Sequence, residues 1–389
     1  MGSSRGITSS RLKDVLDWKS ALSRVLIINN TGIYLLRFRR EFIAALRQAG
    51  HEVSVLAPRD HAWDRLSELG VPVTEWSLRQ HGMSPLSELR AMFHAWREIR
   101  RVKPDVVLNF TIKPSIYGSL AAHFAGVRRI HSVFTGLGYF FTHEDNVDSL
   151  VTRTIRWMLR RALAHNSSVF FQNDDDRDLF LKLGLVTRER TRKMNGSGIN
   201  LEAFAPAGAA VEPGSFVLVG RMLPEKGVRE FVEAARILRP KYPNARFMLL
   251  GGIDGSKSAI PRTEIEGWST QPRVEYLGEV DDVRSVVERA EVMVLPSYRE
   301  GLPRSVLEAM ALGKAIVTTD VSGCRDTVIE GRNGTLVPSR DPKALSAAME
   351  RFLLDATLAQ RYGRESRILA EERFDVRAVN ATFLRDTGL

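Results

Sequence analysis

Short, nearly unbroken apolar runs alternate with helical patterns along most of this chain, and that alternation most constrains its fold. In the first half the runs are RVLIINN (24–30), EVSVLAP (52–58), VPVTEW (71–76), DVVLNF (105–110), RIHSVFTG (129–136) and SVFFQN (168–173). The second half repeats the pattern with SFVLVG (215–220), ARFMLLGG (245–252), VEYLG (274–278), EVMVLPS (291–297), KAIVTTD (314–320) and GTLVPS (334–339). A strand that is apolar on both faces belongs in a parallel sheet covered by helices above and below. Helical patterns occupy about 35–48, 86–101, 116–127, 147–164, 226–238, 281–289 and 303–312, and most of 341–389. The Ala-, Pro- and Gly-rich stretch APAGAAVEPG near 205–214 separates the two series. At 389 residues the chain is long enough for two cores. The fold expected is α/β, with two Rossmann-like domains facing across a cleft onto which strand ends open.

Composition narrows the setting. One cysteine, Cys324, excludes an internal disulfide framework and a cysteine-cluster metal site. No apolar run reaches the length of a spanning helix. Residues 1–20 read as an N-terminal leader without the apolar core of a secretory signal. Residues 1–200 carry 30 basic and 19 acidic residues, whereas residues 201–389 carry 26 and 27. The first half should therefore meet something anionic. Three stretches stand out: Arg37–Arg40, WREIRRVK (96–103) and RTIRWMLRR (153–161). The last two interleave Arg with Trp, Met and Leu, the pattern of a helix lying on anionic lipid. No nucleic-acid-binding signature accompanies the charge. The acidic run Asp174–Asp176 reads as capping the helix after SVFFQN rather than as a metal site.

Two motifs carry the chemistry. In LVGRMLPEKG (218–227) a strand ends at Gly220, and Arg221 and Lys226 follow around a helix start. Cations and backbone N–H groups there suit a diphosphate whose charge grows as it departs. In REGLPRSVLEAMALG (299–313), Glu300 lies in a loop and Glu308 within the next helix among Val306, Leu307 and Ala309. A carboxylate among apolar neighbours needs a hydrogen-bond partner, either a ribose diol or a nearby backbone group or arginine. Gly301 and Pro303 fit a tight turn into that helix.

These motifs, with EGRNGTLVPSRDP (330–342), resemble the retaining glycosyltransferases of family 4, whose E-x7-E pattern is matched by Glu300 and Glu308. The resemblance implies two facing domains: an acceptor domain over 21–205 and a nucleotide-sugar domain over 206–365. A C-terminal helix over 366–389 would return to the first. It implies a nucleotide sugar as substrate, by family frequency a UDP-sugar, with no cofactor and no catalytic metal. Arg221 and Lys226 would contact the donor diphosphate, Glu308 the ribose and Glu300 the sugar. Gly220, Gly301, Leu302 and Pro303 would offer backbone around the donor, and Gly32 would approach the phosphate from the first domain. NFTIKPSIYGSLAAHFAGV (109–127) and VFTGLGYFF (133–141) further resemble enzymes that extend surface polysaccharides on undecaprenyl diphosphate. That resemblance places Lys113, Thr135, Gly136, Leu137 and Gly138 on the acceptor side, and the protein at the cytoplasmic face of the membrane. His131 stands four residues before the position where many family members carry a histidine, and it reads as structural. A soluble or different lipid acceptor, a nucleotide-sugar epimerase and a non-catalytic glycan-binding module are the competing readings. A dinucleotide oxidoreductase is disfavoured, because NNTGIYLLRF lacks the G-x-G-x-x-G fingerprint.

Overall fold

The computed structural model describes residues 22–78, 84–137, 141, 149–253, 258–271, 273–280 and 282–389. The 1–20 leader and Gly138 lie outside the described residues. Seven parallel strands form the first sheet: β1 (Arg24–Asn29), β2 (Glu52–Ala57), β3 (Val73–Glu75), β4 (Val106–Phe110), β5 (Arg129–Phe134), β6 (Ser168–Phe171) and β7 (Thr191–Lys193). Their order is β3-β2-β1-β4-β5-β6-β7. The second sheet contains β8 (Ser215–Val219), β9 (Arg246–Leu250), β10 (Val274–Tyr276), β11 (Val292–Leu295), β12 (Ala315–Thr319) and β13 (Gly334–Val337), in the order β10-β9-β8-β11-β12-β13. Each sheet reverses its winding between its first and fourth strands, which opens a crevice at the carboxyl ends of those strands.

Helices cover both faces. On one face of the first sheet lie α3 (Pro85–Val102), α4 (Ile112–Phe124) and α5 (Leu150–Leu163), with Ala95, Tyr117 and Leu159 in one buried cluster. The other face carries α1 (Gly32–Phe38) and α2 (Arg40–Gln48). Periodicity predicts one helix over 35–48; Arg39, with φ of −129°, divides it into two. After β6, α6 (Asp174–Lys182) begins at Asn173, whose side chain accepts a hydrogen bond from the Asp176 N–H.

In the second half, α7 (Val228–Leu238) buries Phe231, Val232, Ala235 and Leu238, a spacing of one to four that makes a single apolar stripe. α8 (Arg262–Thr270) and the short α9 (Arg284–Val287) follow, then α10 (Arg304–Ala311), α11 (Pro342–Leu354) and α12 (Leu358–Arg373). The edge strand β7 and helix α8 are absent from the sequence reading. Three polar residues, Thr-Arg-Lys, carry no apolar period, and Gly267 weakens the helical pattern around Trp268.

The last helix, α13 (Val376–Thr387), leaves the second domain and packs on the first. Its Phe383 lies 4.9 Å from the ring of Phe42 and 4.7 Å from that of Phe170. Where the chain crosses out and where it returns, the two segments pair: Ile199 N–H donates to Phe374 O, and Val376 N–H donates to Ile199 O. Gly198 is required there, because a Cβ on it would sit 2.5 Å from Val376 Cα. Among the described residues no helix is long and apolar enough to cross a membrane.

Candidate active site

The turn after β8 and the turn after β11 meet because of one glycine. Gly227 has φ of +71°, and a Cβ on it would lie 2.1 Å from the Pro296 carbonyl oxygen. The Pro224–Lys226 turn therefore presses against the end of β11, where Tyr298 N–H donates to Glu225 O. That contact delivers Lys226 to Glu300: Nζ stands 2.5 Å from Oε1. The Ser297 hydroxyl donates to the same oxygen at 2.7 Å. Glu300 Oε2 accepts no hydrogen bond among the described residues and stays available. Arg221 begins the same turn and is exposed, directly after Gly220 at the end of β8.

Glu308 lies one turn into α10, with Arg304 Nε donating to its Oε1 at 3.0 Å. Burial pushes the Glu308 carboxyl above its usual range, and Arg304 opposes the shift, with a smaller contribution from Arg37. Arg304 also donates to Ser197 Oγ and Gly198 O, and its guanidinium lies over the Phe38 ring of α1. Leu302 is buried and reaches towards Gly196; Pro303 is the N-cap of α10.

The Glu300–Gly301 loop is gripped from the first domain. Asn173 Nδ2 donates to Gly301 O at 2.7 Å and to Glu300 O at 3.3 Å. A Cβ on Gly301 would lie 2.2 Å from Thr135 O, and Gly136 sits against Gly301 N. Thr135 and Gly136 thus touch the donor-side loop directly. Leu137 points into the first-domain core. Lys113 Nζ pairs with Glu88 at 2.9 Å and is largely buried. Gly32 N–H donates to Asp60 Oδ2, as do Thr31 Oγ and Ile33 N–H, so Asp60 already fills the start of α1. Burial opposes ionisation of Asp60, but these bonds and one from Ala62 N–H hold its carboxyl below the usual range.

Tertiary contacts divide two charged stretches. The cap of α6 is Asn173; Asp175 instead meets Ser322 and Arg325, and the buried Asp176 meets Arg299, all across the cleft. In the Arg37–Arg40 stretch, Arg37 pairs with Glu279, Arg40 with Glu68, and Arg39 is buried over Phe110. Asn173, Ser297, Arg299 and Arg304 are contributors the motifs did not identify. An Asn directly before an acidic helix start was the available signal for the first.

Comparison with known proteins agrees with this architecture. Residues 37–195 match the model described as "Glycosyl transferase 4-like domain", and residues 201–368 match "Glycosyl transferases group 1". The chain is 28% identical over 348 residues to the N,N'-diacetylbacillosaminyl-diphospho-undecaprenol alpha-1,3-N-acetylgalactosaminyltransferase of Campylobacter jejuni, covering 86% of this chain and 90% of that protein. It is 24% identical over 290 residues to the UDP-Gal:alpha-D-GlcNAc-diphosphoundecaprenol alpha-1,3-galactosyltransferase of Escherichia coli, covering 71% and 73% respectively. The crystal structure of Anabaena HepE with UDP-glucose shares the fold, with a TM-score of 0.76, 17% identity, and coverage of 93% of this chain and 98% of that one.

Proposed function

The chain belongs to the two-domain glycosyltransferases, a 4-like domain followed by a group 1 domain, and from that premise we propose that it moves one sugar from a UDP-sugar to a polyprenyl-diphosphate-linked saccharide. The observation that carries the donor half is the Lys226–Glu300–Ser297 cluster beside Arg221, with Glu308 held by Arg304 on the same domain. The names of the Campylobacter and Escherichia relatives support the acceptor class, and the latter supports UDP.

In this reading Arg221 and Lys226 stabilise the departing diphosphate, and Glu308 accepts hydrogen bonds from the ribose. Glu300 is committed to Lys226 through one oxygen, which suits holding sugar hydroxyls better than attacking the sugar carbon. Following the resemblance to retaining family 4 enzymes, transfer on the front face with the anomeric configuration retained is the mechanism we propose. The acceptor oxygen bonds to the anomeric carbon, the bond from that carbon to the phosphate oxygen breaks, and the acceptor proton passes to the leaving diphosphate. Preorganised cations at the leaving group supply the main stabilisation.

The same reading lays the first domain on an anionic bilayer. Leu86, Leu89 and Phe93 on α3, and Leu150, Val151 and Trp157 on α5, are exposed on helices that cover one face of the sheet. Arg153, Arg160 and Arg161 accompany the α5 group, and Arg161 lies over Trp157. Flotation with vesicles containing anionic lipid should carry the protein up, and Trp157→Ser with Phe93→Ser should leave it at the bottom; equal flotation of the variant would refute this surface.

The test of the main reading is incubation with a polyprenyl-diphosphate-linked saccharide and a panel of UDP-, GDP- and ADP-sugars, read by the mass of the lipid product. A gain of one sugar from a UDP donor is expected. No gain with any donor, from protein that still binds nucleotide, would overturn the acceptor assignment.

A further inference from the structure

Arg39 is a buried guanidinium without a counter-ion. It is 4% exposed, sits 4.3 Å above the Phe110 ring, and among the described residues donates no side-chain hydrogen bond and pairs with no carboxylate. Burial, with a further contribution from Arg304 across the cleft, lowers its pKa to about 9. An unpaired buried charge is costly, and an apolar side chain of the same length would serve packing better. The other two cations of the stretch differ: Arg37 and Arg40 have carboxylate partners, and among the described residues Arg39 has none.

Two polar atoms at the ends of the strands beside Phe110 lack partners among the described residues. Phe110 ends β4, and in the register of the sheet it pairs with Asn29, the end of β1. The next residues, Asn30 and Thr111, therefore leave adjacent strands side by side at the switch point of the first sheet. Asn30 Oδ1 and Thr111 Oγ1 are both buried without a hydrogen-bond partner. Thr111 also has φ of 76° and ψ of 176°, a backbone conformation almost confined to glycine and strained for a β-branched residue. Strain and two unpartnered oxygens thus lie at the ends of the two strands, one residue beyond the Phe110 ring that Arg39 covers, where ligands bind in open parallel sheets.

We propose that Arg39, together with Asn30 and Thr111, forms a second anion site in the cleft, belonging to the first domain, whose ligand is a diphosphate. Arg39 supplies charge and N–H donors, and the Thr111 hydroxyl supplies a further donor. Asn30 can donate to the ligand only through its amide Nδ2, since its Oδ1 is an acceptor. The site faces Arg304, so a bound anion also relieves the repulsion between the two arginines. Either the nucleotide donor or the polyprenyl-diphosphate acceptor brings this chemistry; the assignment between them rests on the transferase reading above, but the site itself does not.

The test compares wild type with Arg39→Met, Arg39→Lys and, as a surface control, Arg40→Met. Inorganic pyrophosphate is titrated by calorimetry, which needs no transfer activity. The expected result is a loss of about tenfold or more in pyrophosphate affinity for Arg39→Met, a smaller loss for Arg39→Lys and none for Arg40→Met. Melting curves should show Arg39→Met at least as stable as wild type, since it removes a buried charge. In transfer assays, weaker UDP binding by Arg39→Met would assign the site to the donor. Unchanged UDP binding with a raised acceptor KM would assign it to the acceptor. Unchanged pyrophosphate affinity in a folded Arg39→Met protein would overturn the proposal, whether or not wild type transfers sugar.

Discussion

Lys226 Nζ lies 2.5 Å from Glu300 Oε1, although 74 residues separate them, and both side chains are largely withdrawn from solvent. A charge pair so enclosed is sensitive to loss of one partner, because the other is left uncompensated. In the proposed reaction it would fix the cation before any ligand arrives, so no reorganisation is required as the diphosphate leaves.

Lys226→Ala should lower kcat by roughly 100–1000-fold while leaving the protein folded. Steady-state kinetics on purified protein checks this. Wild-type turnover in the variant would remove Lys226 from the reaction.

Glu308→Ala should weaken UDP binding by about tenfold or more in calorimetry, since a carboxylate accepting from a ribose diol is lost. A pH series is sharper. Burial raises the Glu308 carboxyl, so affinity should begin to fall at a higher pH than for an ordinary glutamate as the solution is acidified. Arg304 holds that shift in check, so Arg304→Met should move the fall to higher pH still. A pH profile identical in the two proteins would contradict the pairing.

Asn173 caps α6 with its oxygen and clasps the Glu300–Gly301 loop with its nitrogen. Asn173→Asp keeps the cap but sets a carboxylate against two carbonyl oxygens; Asn173→Ser keeps the cap and only loses the clasp. If the clasp positions Glu300, kcat should fall further in the Asp variant than in the Ser variant, with melting temperatures nearly equal. A purely capping role predicts wild-type turnover in both. Gly301→Ala should be more damaging than either, because its Cβ would collide with Thr135 O.

His131 is buried in β5 with neither ring nitrogen hydrogen bonded. Burial, aided by Arg129, lowers its pKa from 6.5 to about 3. Below pH 6.5 the unfolded chain takes up a proton that the native state refuses, so this group's stability is present above pH 6.5 and lost as pH falls towards 3. Wild type should lose up to about 1.4 kcal/mol per pH unit more than His131→Leu across that window. Parallel urea curves at several pH values measure the difference; no divergence would mean that His131 is protonated in the fold.

Phe383 joins the last helix to Phe42, Phe110 and Phe170 of the first domain. Phe383→Ala should destabilise by about 3–5 kcal/mol. The loss should appear in the urea transition of the first domain, and limited proteolysis should then cut near residue 375. An unchanged transition would show that the helix does not stabilise that domain.

The sequence alone determined the two parallel sheets, because strands apolar on both faces have no other stable placement. It also marked the two motifs, because Gly220, Arg221 and Lys226 fall within one short segment and Gly301 and Glu308 within another; that the two segments meet was decided by tertiary structure. Tertiary structure alone decided which charges matter. Arg37, Arg39 and Arg40 are equivalent in a charge count, yet one crosses the cleft, one is buried without a counter-ion and one lies in a surface pair. The Asp174–Asp176 run is likewise divided among Lys193, Arg325 and Arg299. Such partners lie 19 to 150 residues away, and an electrostatic interaction depends on distance and dielectric in space, neither of which is written in the order of the residues.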